Sequence, residues 1–551
     1  MTPLSTFVYL LFFSRFFVAI VEYFALTRFF FDDSGSDEGN KFRVVIPWLF
    51  NLKKRRGLLG VILALIFFLS LFTMGVYGEA QRVSNAAYFN GFIQQQTGLP
   101  FDSTIPDNMV RLVTEELATS IARRHMSEFG SNTQVLDCHI TKSPEGKLVW
   151  VATIGSTNVI SENYVKGFII INANEPAANP EIVHFEFSIG TGLWWDRNIP
   201  FRNYLDAMEN VYGVSYVTWT DNSEPVYVVT RYNQGFDFLR RYETPLVYNN
   251  QGTLVNSASG LSEVPSWMTQ VYDEVWLEDM TNEMGSFRRG TGFDYFAGGF
   301  LWIIPPSRDR FEITEDTRYV VDPQTTDVVA LVCVNPVENQ RTLSGVFKAT
   351  REGVLFYDFK QSNYISGLTA EDLIEGRLPK PATGNYYAVM PLLYTVEITA
   401  SSSDQRLAWY VPIYWYEDSG DSDETVYLAG FAIVDAQDTN KIALSINQQG
   451  ISSDQLVRQT RMEFIKLFGG DTNVEFQVTS NIVNNYQYVQ DGQTHLVLRL
   501  NDSKYPWIEA TPNDLTSQEW NLLMSSVPGQ TITAHLERQD DRWIMMDFAI
   551  K

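Results

Sequence analysis

Cysteine, histidine and positive charge are all scarce in this chain. Two cysteines, Cys138 and Cys333, stand among 551 residues. That rules out a disulfide scaffold. Each lies in a strand-like run, VLDCHI and VVALVCV. A disulfide between them and two buried free thiols are both open readings. Five histidines occur, His125, His139, His184, His495 and His535, and no two stand at metal-ligand spacing. HExxH, G-x-S-x-G, a P-loop and a helix-opening G-x-G-x-x-G are all missing. The chain has 41 Lys and Arg against 65 Asp and Glu, a net charge of −24. Such a surface repels nucleic acid, and no basic patch interleaved with aromatics offsets it. No cofactor is expected and no catalytic residue stands out.

What the chain does have is grease near its start. Leu58–Tyr77 holds twenty residues with no ionisable group but the Tyr77 phenol. A helix of about 20 residues at ~1.5 Å each crosses a hydrocarbon core about 30 Å thick. This predicts a transmembrane helix at 58–78. Residues 1–31 predict a transmembrane or interfacial helix, interrupted by Arg15 and Glu22 two helical turns apart. Charges at that depth need a partner, so this face is read as an intramembrane interaction surface. Lys53, Lys54, Arg55 and Arg56 are read as a topology signal that puts a basic loop, 32–57, in the cytoplasm. The expected location is a two-span cell-membrane protein with its large C-terminal part extracytoplasmic.

Beyond a linker at 79–100, short helices alternate with β-hairpins. The expected units are α+β at 101–235, β-rich at 236–345, α+β at 346–450, and a helix with an OB-like barrel at 451–551. A helix is expected at 107–129, where Val110, Val113, Leu117 and Ile121 share a face. In the last unit Leu496, Leu498 and Leu500 alternate, as do Ile532, Ala534 and Leu536. The expected fold class is therefore α+β. It begins with N-terminal transmembrane helices, continues through several helix-plus-antiparallel-sheet domains, and ends in a small barrel.

One internal echo stands out. Leu148–Trp150 is followed by GFIIINA at Gly167–Ala173, and Leu407–Trp409 by GFAIVDA at Gly430–Ala436. The four extra residues of the second copy fall in the acidic loop Glu417–Glu424, where insertions cost little. RYVVDPQTTDVVALV repeats the strand, Asx turn, strand pattern without the tryptophan. These segments resemble the PepSY-like, cystatin-like units of membrane-anchored bacterial ectodomains. The resemblance covers about 40 residues in each of two places. It implies a curled antiparallel sheet against a helix and a binding or regulatory role. It carries over no functional residue, and the stretch 231–310 does not match it.

The remaining candidates for chemistry are few. Asp418, Asp421 and Asp423 form the best calcium candidate, although the loop lacks the EF-hand glycine and final glutamate. Met284–Gly299 is glycine-rich with Arg288 and Arg289, and reads as an exposed loop. Trp194 and Trp195, with Trp150, Trp219, Trp302, Trp409 and Trp415, offer stacking faces for sugars or simply fill cores. These patterns favour a non-enzymatic, membrane-anchored extracytoplasmic assembly subunit. Its partners would be the lipid bilayer and other envelope proteins, within an oligomer or complex and without nucleic acid. The alternative is an extracytoplasmic sensor or glycan-binding protein. A hydrolase with an inconspicuous carboxylate pair ranks third.

Overall fold

The computed structural model describes residues 81–550 apart from 208–209, 235–238, 258–259, 288–309, 382, 399–404, 418–424, 447–451, 469–474, 491–492, 503–504, 513–516 and 540–541. Residues 81–92 are helical, and Phe89 and Ile93 sink into the core. The short strand β1 (Gln94–Gln96) follows.

Four capped helices then each lead into an antiparallel sheet. The helix Glu115–His125 precedes β2 (Thr133–Lys142), β3 (Leu148–Ser156), β4 (Val165–Asn172) and β5 (Glu181–Val183), in that order across the sheet. Ile199–Asp206 precedes β6 (Asn210–Trp219), β7 (Pro225–Gln234), β8 (Arg240–Tyr242), β9 (Leu246–Tyr248) and β10 (Leu254–Ser257). Glu274–Ser286 precedes β11 (Phe311–Ile313), β12 (Arg318–Val321), β13 (Val328–Pro336), β14 (Gly345–Thr350) and β15 (Gly353–Asp358). β1 adds to this third sheet, parallel to β15. Gly367–Glu375 precedes β16 (Asn385–Ala388), β17 (Leu392–Glu397), β18 (Gln405–Glu417), β19 (Thr425–Asp435) and β20 (Ile442–Ile446).

The same local chemistry starts each helix. Thr114, Asn198, Asp273 and Ser366 accept hydrogen bonds from the backbone N–H groups of Leu117, Phe201, Trp276 and Thr369. Each satisfies a donor that the first helical turn leaves unpaired. An Asx turn recurs in each sheet. Asn172, Asn249, Asp322 and Asp435 accept from the N–H two residues on, at 2.7–3.1 Å. The turn at Asn249 lies in the stretch that had not matched the echo. One continuous core runs from Phe89 to Ile465, with a smaller cluster between the first two sheets around Phe168, Phe187 and Tyr227. Strand β3 is buried along its whole length, because a helix or a sheet covers each of its faces.

The helix Ser453–Leu467 packs on β19 and β20 and leads to the last region. There β21 (Glu475–Gln490), β22 (Gln493–Leu500), β23 (Trp507–Ala510), β24 (Thr531–Gln539) and β25 (Arg542–Ile550) close a barrel in the order β21-β22-β23-β25-β24. The helix Ser517–Met524 sits between the third and fourth strands. Leu496, Leu498, Leu500, Ile532, Ala534 and Leu536 fill the barrel, whose core is separate from the main one. Arg461 joins the helix before the barrel to the body. It donates to Asp107 at 2.7 Å and to the Ile105 carbonyl at 3.0 Å.

The expected fold class, location and membrane character need correction. No helix of the described residues is long and apolar enough to cross a membrane. The described chain is mainly β, with short helices between sheets. Its longest described helix, Ser453–Leu467, spans 15 residues. At ~1.5 Å per residue it rises about 22 Å, short of a hydrocarbon core. The two apolar runs behind the two-span reading lie outside the described residues, as do Arg15, Glu22, Lys53, Lys54, Arg55 and Arg56.

Candidate functional site

The helix expected from residue 107 begins only at Glu115, and that difference shapes a central cavity. Leu112 and Val113 stay extended because both N–H groups bond the Ala173 carbonyl, at 2.8 and 2.9 Å. The Trp150 indole donates to the Val113 carbonyl at 3.0 Å. Thr114 then caps the helix. On a helix from 107, Arg111 would have joined a helical face. On this extended post it is driven inward instead, and is 4% exposed.

Arg111 lies on the Trp150 ring, 4.8 Å from its centroid, and donates to the carbonyls of Val113 (3.4 Å) and Tyr319 (3.2 Å). It makes no ion pair among the described residues. The guanidinium lines a cavity of about 900 Å³ where the first, third and fourth sheets meet. Arg318, at the start of β12, lines it too, and its buried Nε has no hydrogen-bond partner. Burial, and then the charge of Arg318, lower the Arg111 pKa to about 10. Glu115 and Glu116 pull the other way through space, but neither bonds the guanidinium, which leaves a direct anion partner to be supplied.

The walls carry the opposite sign. Glu115, Glu116, Glu274, Asp316 and Glu371 face the same cavity. Burial, then the Glu278 charge, raise the Glu274 carboxyl to about 7. Burial, then Glu315, raise Glu371 to about 7. Glu115 is raised by burial and by Glu116. Two nearby carboxylates are occupied elsewhere: Glu278 accepts from the Thr317 N–H and hydroxyl, and Glu315 from the Leu368 N–H. A cation seated among these carboxyls would favour their ionised form and displace their protons.

His139 completes the floor. Its ring stacks on Tyr216 at 4.6 Å, and burial lowers its pKa to about 4, so the ring is neutral. Its Nε2 is buried without a hydrogen-bond partner. Cys138 also lines the cavity. Burial pushes its thiol up to about 12 and raises Cys333 as well; both are free, so neither is an activated thiolate.

The other sequence candidates scatter. Asp418, Asp421, Asp423, Trp302, Arg288 and Arg289 lie outside the described residues. No group of three metal-ligating side chains assembles among the described residues. Trp150, Trp219, Trp409 and Trp415 are buried, whereas Trp194 and Trp195 are exposed. His184 packs on Phe129, and His495 pairs with Glu509 in the barrel. Sequence reasoning missed Arg111, Arg318 and the five wall carboxylates. The one available signal was the echo itself, since Trp150 marks the post that carries Arg111.

Comparison with known proteins adds little. No family model and no characterised protein sequence matches the chain. Among solved structures, a variant of B. megaterium levansucrase aligns over 82% of this chain and 98% of its own, at 8% identity and a TM-score of 0.18. So low a score assigns neither fold nor activity.

Proposed function

We propose that the chain is a non-enzymatic binding protein. Its central cavity takes a small ligand that bears an anionic and a cationic end, of the amino-acid or short-peptide type. The observation that carries this is Arg111, buried against Trp150 with backbone carbonyls as its hydrogen-bond partners and five carboxylates lining the same cavity. A ligand carboxylate would supply a directly bonded anion to Arg111 and Arg318, which the charges of Glu115, Glu116, Glu315 and Glu371 reach only through space. A ligand ammonium would seat among Glu274, Glu371 and their neighbours. The cavity volume suits a molecule of that size. Four capped helices, each followed by a sheet with an Asx turn, support reading these units as PepSY-like, a class associated with binding and regulation.

The test is calorimetry on the purified chain with three probes: glycyl-glutamate dipeptide, spermidine and succinate. The dipeptide should bind, and Arg111→Met should abolish that binding. Spermidine binding alone would remove the role given to Arg111, and succinate binding alone would remove that of the carboxylates. Turnover of the dipeptide would overturn the non-enzymatic reading.

A further inference from the structure

A second cleft, of about 1000 Å³, is lined by Asn163 and by Asp196 and Arg197, the two residues that follow Trp194 and Trp195 in the chain. Exposed tryptophans are usually a liability, because their apolar faces gain by burial. Here two neighbours are 55% and 61% exposed, and the backbone that carries them is held in place. Leu193 plugs the core, while Asn163 clamps Trp194 from both sides. The Asn163 amide donates to the Trp194 carbonyl at 2.8 Å, and its oxygen accepts from the Trp194 N–H at 2.7 Å. The Asn198 N–H closes the turn on the Trp195 carbonyl at 3.1 Å. Trp195 is held at φ 56°, a left-handed conformation that a bulky side chain rarely adopts. Its ring leans on Phe201, 5.2 Å between centroids. Strain of this kind persists only where the surroundings enforce it.

The lining of the cleft identifies a ligand class. Asn163, Asn250, Gln251, Arg197, Arg202 and Glu186 contribute planar amide, guanidinium and carboxylate groups. With Asp196, the charges balance at two of each sign. Planar groups of this type pair with adjacent hydroxyls through two hydrogen bonds at once. A charge-neutral lining next to a loop with two exposed indoles suits a neutral polyol with apolar C–H faces, and disfavours a polyanion or a basic peptide. We infer that this cleft is a carbohydrate-binding site, with Trp194 and Trp195 as stacking platforms and the Asn163 clamp as a positioning residue. It is separate from the central cavity and does not depend on what that cavity binds.

The test titrates the full chain with maltohexaose, cellohexaose and chitohexaose, read by tryptophan fluorescence and calorimetry. At least one should bind with a shift in tryptophan emission. Trp194→Ala and Trp195→Ala, both at exposed positions, should each weaken that affinity about tenfold or more. Asn163→Ala, which frees the loop but keeps both rings, should weaken it less. Asn250→Ala with Gln251→Ala provides a second probe that leaves the tryptophan loop untouched, and should also weaken it. Absence of binding by all three sugars at millimolar concentration would overturn the inference. So would unchanged affinity in the double tryptophan variant, loss of sugar binding in Arg111→Met, or a change of oligomeric state as the sole effect of the tryptophan substitutions.

Discussion

Trp150 in the first sheet and Trp409 in the fourth do the same mechanical job and end in different chemistry. The Trp150 indole donates to the Val113 carbonyl, and the Trp409 indole to the Ile365 carbonyl, both at 3.0 Å. Each acceptor immediately precedes a helix cap, Thr114 or Ser366. The backbone closes the same way around both: the Ile365 N–H bonds the Ala436 carbonyl, as Val113 bonds Ala173. Yet three residues before the cap the first copy carries Arg111, and the fourth carries Asn363 at φ 52°. The tether is a folding device. A site arises where the post that the tether fixes also presents a guanidinium.

The comparison breaks most visibly at the tryptophans. Trp409→Ala and Trp150→Ala should each cost about 3–5 kcal/mol, because each leaves a cavity and removes a buried hydrogen bond to a carbonyl, which Arg111 still bonds at Val113. Denaturant unfolding of the two variants measures this. A loss below ~1 kcal/mol in either would show that the tethers are not equivalent.

Arg111→Met should separate stability from binding. Removing an unpaired buried charge should leave the fold as stable or raise its stability by about 1 kcal/mol or more, while ligand binding disappears. A clear loss of stability would mean that the two backbone hydrogen bonds outweigh the desolvation. Asn363→Ala, at the matching post, should cost about 1 kcal/mol through its left-handed backbone and leave binding intact.

The smallest effect is a pH slope. Glu274 and Glu371 titrate near 4.5 when unfolded and near 7 when folded. Between those values the folded chain holds extra protons. Their contribution is therefore fully present below about pH 4.5 and is lost as pH rises through about 7; the full shift is worth about 3 kcal/mol, which solvent screening of these partly exposed groups cuts to the order of 1 kcal/mol for each. Glu371→Gln should flatten the slope of stability against pH over that window. An amine-bearing ligand should bind more tightly across the same rise, as the two carboxyls ionise.

Much of the local structure could be read from the residues, because strand alternation and cap chemistry act over a few positions. Leu496, Leu498 and Leu500 point into the barrel because a strand repeats every two residues. Asp322 and Asp435 turn their chains because an Asx side chain bonds its own backbone. The turn at Asn249 in LVYNNQGTLV uses the same chemistry, within a stretch that the echo does not match. The cavity was not. Its groups come from residues 111, 274, 318 and 371, which only long-range packing brings together. Apolar periodicity also carried the expected first helix through Val110 and Val113, but their burial comes from an extended segment bonded to Ala173. Tertiary hydrogen bonds there outweigh helix propensity.

Calorimetric titration of glycyl-glutamate into the intact chain and into Arg111→Met bears most directly on the buried, unpaired guanidinium. The account expects heat of binding in the first, none in the second, and equal or higher thermal stability in the second. Identical binding by both proteins would contradict it.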